Sequence, residues 1–276
     1  MGATITTSSG GAPGDGTHTT DATGAPPNDT PGTGTTGATE TGTTGATDTE
    51  TTDDTTDTGT ATMVAEPKPK LRGWLHAGTV PILGAGIIVL IALAPGATYK
   101  ASLAVYLGCA ILLFANSATY HIGNWSAGVK AILRRVDHSN IYLFVAGTYT
   151  PLSMMLLTGA SRIAILSLIW GLAVAGVLFR TLWLSAPRPL YAATFVIMGW
   201  AAVWWMPDLW RAGGPAVVIL ILVGGVVYSL GALVYARKWP NPSPKWFGFH
   251  EVFHACTVAA AISHWVAILL VVLQVR

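Results

Sequence analysis

The residues able to do chemistry are few, and their spacing is informative. His250 and His254 are four apart, so on an α-helix they lie one turn above the other and can direct two imidazoles at one ion. Ser117 and His121 share that spacing, which sets a hydroxyl one turn from a third imidazole. Asp137 and His138 fall between these pairs in the chain. Three imidazoles with a fourth position left to water form the donor set of catalytic rather than structural zinc. Such a centre does hydrolysis: the ion acidifies a water towards a pKa of about 7, and a nearby carboxylate takes the proton. Asp137 is the candidate base, and Ser117 joins it as a candidate catalytic residue.

The elements that must hold these groups are membrane spans. Hydrophobic residues make up 51% of the 276, and charged residues only 10%, against about 25% in soluble domains, which argues against a water-soluble enzyme. Residues 1–66 are a separate case, a Thr-, Gly- and Asp-rich stretch with almost no large apolar side chain. Nothing there could offset the entropy of ordering, so a disordered tail without a secretory signal is expected. From residue 67 onward, apolar stretches recur near 74–94, 102–122, 138–158, 163–183, 190–206, 215–236 and 249–273. Most approach the ~20 residues that cross a ~30 Å hydrocarbon layer. The expectation is an all-α, seven-transmembrane helix bundle over residues 67–276, with Gly213-Gly214-Pro215 among the breaks between spans. Cys109 and Cys256 lie inside apolar runs and read as small fillers.

Charge sets the expected orientation. With the N-terminus inside, eleven of the fifteen Lys and Arg fall on the cytoplasmic side, so the N-terminus is expected in the cytoplasm and the C-terminus outside. Antiparallel tracing then carries the end of span two and the starts of spans three and seven to one face. His121, Asp137, His138, His250 and His254 therefore meet at one depth.

Ionisable groups in a span cost on the order of 2.5–3.5 kcal/mol and usually mark a site with partners. The bland alternative is that the histidines bond only each other, backbone or headgroups; a same-face pair plus a third at equal depth favours Zn2+ on His121, His250 and His254. For Asp137, an ion pair with Arg134 or Arg135, or placement at a positive helix end, is an equal competitor to the base. The string His250-Glu251-Val252-Phe253-His254 also fits the His-Glu-x-x-His zinc-protease pattern, making Glu251 a second choice of base. His264 lies about 15 Å further along the helix, too far for the same ion, and is expected to pack. His76 is at a suitable depth without a second signal.

In order, Ser117-Ala-Thr-Tyr-His121, Arg135-Val-Asp137-His138 running into Ala146-Gly147-Thr148-Tyr149-Thr150-Pro151, and His250-Glu-Val-Phe-His254 resemble the hemolysin III family. The resemblance spans about residues 70–273 and extends to the progestin and adipoQ receptors and, more distantly, the alkaline ceramidases. It implies one zinc near the cytoplasmic face, His121, His250 and His254 as ligands, Asp137 near the metal water, and Ser117 in the place of the family serine. That family does not require Glu where Glu251 stands, which weakens the protease reading. In the first span only His76 and Gly78 match its pattern.

Three functions compete. One is a multi-pass plasma-membrane protein hydrolysing an amide or ester bond of a membrane lipid, with lipids rather than nucleic acid as partners. Another is a membrane-permeabilising cytolysin. The third is a receptor or regulator of lipid state in which zinc is structural.

Overall fold

The computed structural model describes residues 69–183 and 185–276. The expected tail, residues 1–66, lies outside them. Among the described residues the chain forms α1 (Trp74–Leu93), α2 (Gly96–Ile122), α3 (Ala127–Leu156), α4 (Gly159–Leu182), α5 (Arg188–Gly199), a 3-10 turn (Ala201–Trp205), α6 (Met206–Arg237) and α7 (Phe249–Gln274). This is an all-α bundle. Five helical stretches, namely α1, α2, α4, the α5–α6 run and α7, are long and apolar enough to cross a membrane. Large apolar side chains such as Ile82, Leu178 and Ile197 are exposed on the outside, while Leu90, Tyr106, Phe114, Phe144 and Ile268 form the core. The chain is thus a multi-pass membrane protein by the composition of its helices.

The α3 helix is absent from that set for a physical reason. It packs against α2, α4, α5, α6 and α7, so protein rather than lipid surrounds much of it. A helix so enclosed can carry polar groups, provided each finds a partner. Ser139, Asn140, Thr148, Thr150 and Ser153 are all buried on it. Asn140 Nδ2 donates to the Leu112 carbonyl at 2.7 Å, and the Thr148 and Thr150 hydroxyls donate to the carbonyls of Phe144 and Ala146 at 2.9 and 2.7 Å.

Between the fifth and sixth stretches the expected break is present: helical turns lead up to Gly213-Gly214-Pro215 on both sides, but Gly214 itself is non-helical. Pro215 lacks an N–H and pushes the preceding residue out of helical geometry, and Gly214 absorbs this at φ 78°, where a side chain would be strained. The reversal of direction occurs here, where Gln274 Nε2 at the far end of α7 donates to the Gly213 carbonyl at 3.1 Å. Tyr191 Oη meets Tyr235 Oη at 2.8 Å and Trp200 Nε1 donates to Ser229 Oγ at 3.0 Å, so α5 runs antiparallel to the later part of α6. Both cysteines are free; Cys109 sits against Gly147 and Cys256 against Gly231, in keeping with their expected role as fillers.

The two ends of the bundle's chain are tied together. Lys70 N and Leu71 N donate to the carbonyls of Lys245 and Trp246, and Arg72 Nε donates to Glu251 Oε1 at 2.8 Å. The other Glu251 oxygen accepts from Gly248 N at 2.8 Å and caps the start of α7. Glu251 is fully buried. Removing one partner of a buried pair costs about 3–5 kcal/mol, and the Arg72 side chain is partly exposed, which lessens it. Glu251→Ala is therefore expected to destabilise by about 2–4 kcal/mol, read as a lowered Tm in detergent; an unchanged Tm would refute this anchoring role.

Candidate metal centre

Each donor is placed by a short piece of chain. Gly248 begins α7 with the Val252 N–H bonded to its carbonyl, and this puts His250 and His254 on the first turns. On α2, Ser117 and His121 are buried in the last turns. Just beside them, Gly73 begins α1 at φ 89°, and a Cβ there would lie 2.9 Å from the His121 Cβ. Glycine is thus required twice at that position, by its backbone and by the close approach to His121.

The three imidazoles converge. One ring nitrogen each from His121, His250 and His254 lies within 4.8 Å of the others. The His121 and His250 Nε2 atoms are 3.1 Å apart. With imidazole-to-metal bonds of about 2.0–2.1 Å, as at zinc, two ligands of a tetrahedral ion stand roughly 3.3 Å apart. The spacing therefore fits a metal ion, although for this pair alone it fits a hydrogen bond equally well. What separates the two readings is the third ring, whose nitrogen converges on the same point. The cluster could hold a metal ion.

Asp137 completes the neighbourhood from α3. It is buried, with Oδ2 3.8 Å from His121 Nε2, and it is hydrogen-bonded to the Ser117 hydroxyl. Arg134, proposed as a competing partner, is exposed. The remaining candidates are placed elsewhere. Both oxygens of Glu251 are engaged by Arg72 and Gly248, so the His-Glu-x-x-His string is a coincidence of spacing. His138 is not one of the three converging ligands; it lines the space beside them and accepts from Arg180 Nε at 2.9 Å. His264 packs with Tyr228 and meets the Ile221 carbonyl at 3.1 Å, as a packing residue should.

Sequence reasoning left His76 without a role, and the structure supplies a position. Its ring stacks on His254 at 3.9 Å between centroids and 12° between planes, with the Phe114 edge at 5.0 Å. No periodicity could have shown this, because the contact joins α1 to α7.

Beneath the cluster a narrow apolar cleft continues into the bundle between α3, α5, α6 and α7. Leu113, Ile141, Phe195, Phe253 and Thr257 line both the cleft and the space beside His254 and Asp137, so the two adjoin.

With this geometry in hand, comparison with known proteins is informative. Residues 64–265 match the profile of the Haemolysin-III related family. The chain belongs to that family. It is 31% identical over 143 residues to the hemolysin-3 homolog of Bacillus subtilis (strain 168), a match covering 51% of this chain and 67% of that protein. It is 32% identical over 122 residues to hemolysin-3 of Bacillus cereus, covering 44% and 56%. With progestin and adipoQ receptor-like protein 1 of Caenorhabditis elegans it shares 27% identity over 182 residues, covering 59% of this chain and 41% of that one. The matched region thus spans between two fifths and two thirds of these relatives.

If the cluster is a metal centre, the purified chain carries stoichiometric divalent metal that His121→Ala and His254→Ala lose. Stacking of the His76 kind contributes about 0.5–1.5 kcal/mol, so His76→Ala is expected to retain the ion with affinity lowered about threefold to tenfold. Competition with a chromogenic chelator measures both; equal metal in all three variants would contradict the assignment.

Proposed function

We propose that this protein is a zinc-dependent hydrolase of an amide or ester bond in a membrane lipid. In this reading the chain crosses the plasma membrane seven times, α3 included, with its N-terminus in the cytoplasm, where eleven of its fifteen Lys and Arg then lie. The observation that carries it is the adjacency of the three-histidine cluster and Asp137 to an apolar cleft: a polar centre beside a slot suited to hydrocarbon.

His121, His250 and His254 would hold the ion, whose chemistry when bound is to polarise a carbonyl and acidify a water. The rest is done by the chain. Leu113, Ile141 and Phe253 hold the acyl chain and exclude water below the scissile bond. Asp137 takes the proton from the attacking water as the new carbon–oxygen bond forms, and returns it to the departing nitrogen or oxygen as the old bond breaks. The products are a fatty acid and an amine or alcohol. Ser117 donates to Asp137 and fixes the carboxylate that moves the proton. It acts by positioning, and not as a nucleophile.

The purified protein should release fatty acid from a panel of ceramides and acyl esters. Asp137→Asn should lower the rate by about 100-fold or more, the range of a general base, while retaining the metal; His254→Ala should lose both. Metal-loaded protein without turnover on any amide or ester would favour a structural ion in a receptor-like protein. Dye leakage from vesicles undiminished in His254→Ala would favour permeabilisation, the activity named in the Bacillus relatives.

A further inference from the structure

Above the histidine cluster the bundle opens into a wide mouth of about 1100 Å³ whose walls reach His121 and His250. Arg72, Lys130, Arg134, Arg180, Arg188 and Lys238 line it, and its described lining includes no Asp or Glu. One of these charges, Arg72, is matched from behind by Glu251. Topology alone accounts for basic residues at helix ends, since the positive-inside rule concerns loops. Arg180, in the last turn of α4, differs from the others in being only 3% exposed.

The cations are also arranged. Arg180 directs Nε and Nη2 at His138 Nδ1 and Nη1 at the Trp183 carbonyl and lies 4.5 Å over the Tyr191 ring, and Arg188, its side chain exposed, lies 5.9 Å over the Tyr235 ring. The two phenols touch at 2.8 Å, so both guanidiniums are held on one aromatic shelf beside His250, whose ring is 5.7 Å from that of Tyr235. Guanidinium forks fixed by aromatic stacking are suited to bidentate capture of tetrahedral oxyanions, and the concave wall focuses their field.

We infer that this mouth is a binding site for a phosphate group carrying net negative charge, with Arg188 and Arg134 as its principal contacts and the engaged Arg180 adding positive charge behind the shelf. The phosphate could be the headgroup of an anionic lipid or part of a soluble phosphorylated compound. The inference rests on charge and shape at the mouth and stands apart from turnover at the metal centre.

Two arms test it with the full-length chain. In the first, the protein is extracted from phosphatidylcholine nanodiscs doped with phosphatidic acid of the same acyl chains, and retained lipid is counted by native mass spectrometry. In the second, the detergent-solubilised protein is titrated calorimetrically with inorganic phosphate. Selective retention of phosphatidic acid identifies a lipid headgroup; saturable phosphate binding that displaces it identifies a soluble source. Either supports the site, provided that Arg134→Gln and Arg188→Gln, both on exposed residues, each weaken it about tenfold with Tm unchanged. Equal retention of the two lipids with no phosphate binding would overturn the inference, as would binding that the Arg134 and Arg188 variants leave intact.

Discussion

Three imidazoles and a carboxylate are buried together in a bundle whose outer surface is apolar, and that burial is unfavourable unless the groups serve one another or a shared ion. Much of the surrounding structure follows from meeting this condition. The end of α2 and the start of α7 must meet at one depth, and residues far apart in sequence enforce it. Gly73 lets α1 begin against His121, and Arg72 and Glu251 pin the segment before α1 to the first turn of α7. The α3 helix brings in Asp137 and must therefore be internal, which is why it tolerates a polarity that no lipid-facing helix could.

The bundle is asymmetric along its length as a result. One end holds the histidines, the tyrosine shelf and the basic mouth; below them the interior turns apolar, with Phe144, Phe195 and Phe253 along the cleft. A molecule with a charged head and a hydrocarbon tail matches that order, head upward and tail downward, with its linkage beside His254 and Asp137. A soluble substrate would find the mouth but would leave the cleft unused.

Much of the centre was legible in the sequence because helices convert a spacing of four into a shared face, as with Ser117 and His121 or His250 and His254. Spacing alone leaves Glu251 with two roles. A zinc protease and a capped helix can carry the same five letters, and only the positions of Arg72 and Gly248 decide where that carboxylate goes. Contacts between helices were beyond reach: the stacking of His76 on His254 and the pairing of Arg180 with His138 depend on packing, and single-sequence periodicity carries no such information. The Gly-Gly-Pro at 213–215 is the break between spans that its residue types imply, with helical turns running up to it on both sides and Gly214 alone outside helical geometry. Five stretches satisfy a hydropathy criterion where seven were expected, since α3 is internal and α5 joins α6 through continuous helical turns.

The most direct test is X-ray absorption at the zinc edge on the purified full-length protein. The account predicts a four-coordinate shell of three imidazole nitrogens and one oxygen at about 2.0–2.1 Å, reached without sulfur. A shell containing sulfur, a six-oxygen shell, or no bound zinc after loading would contradict it.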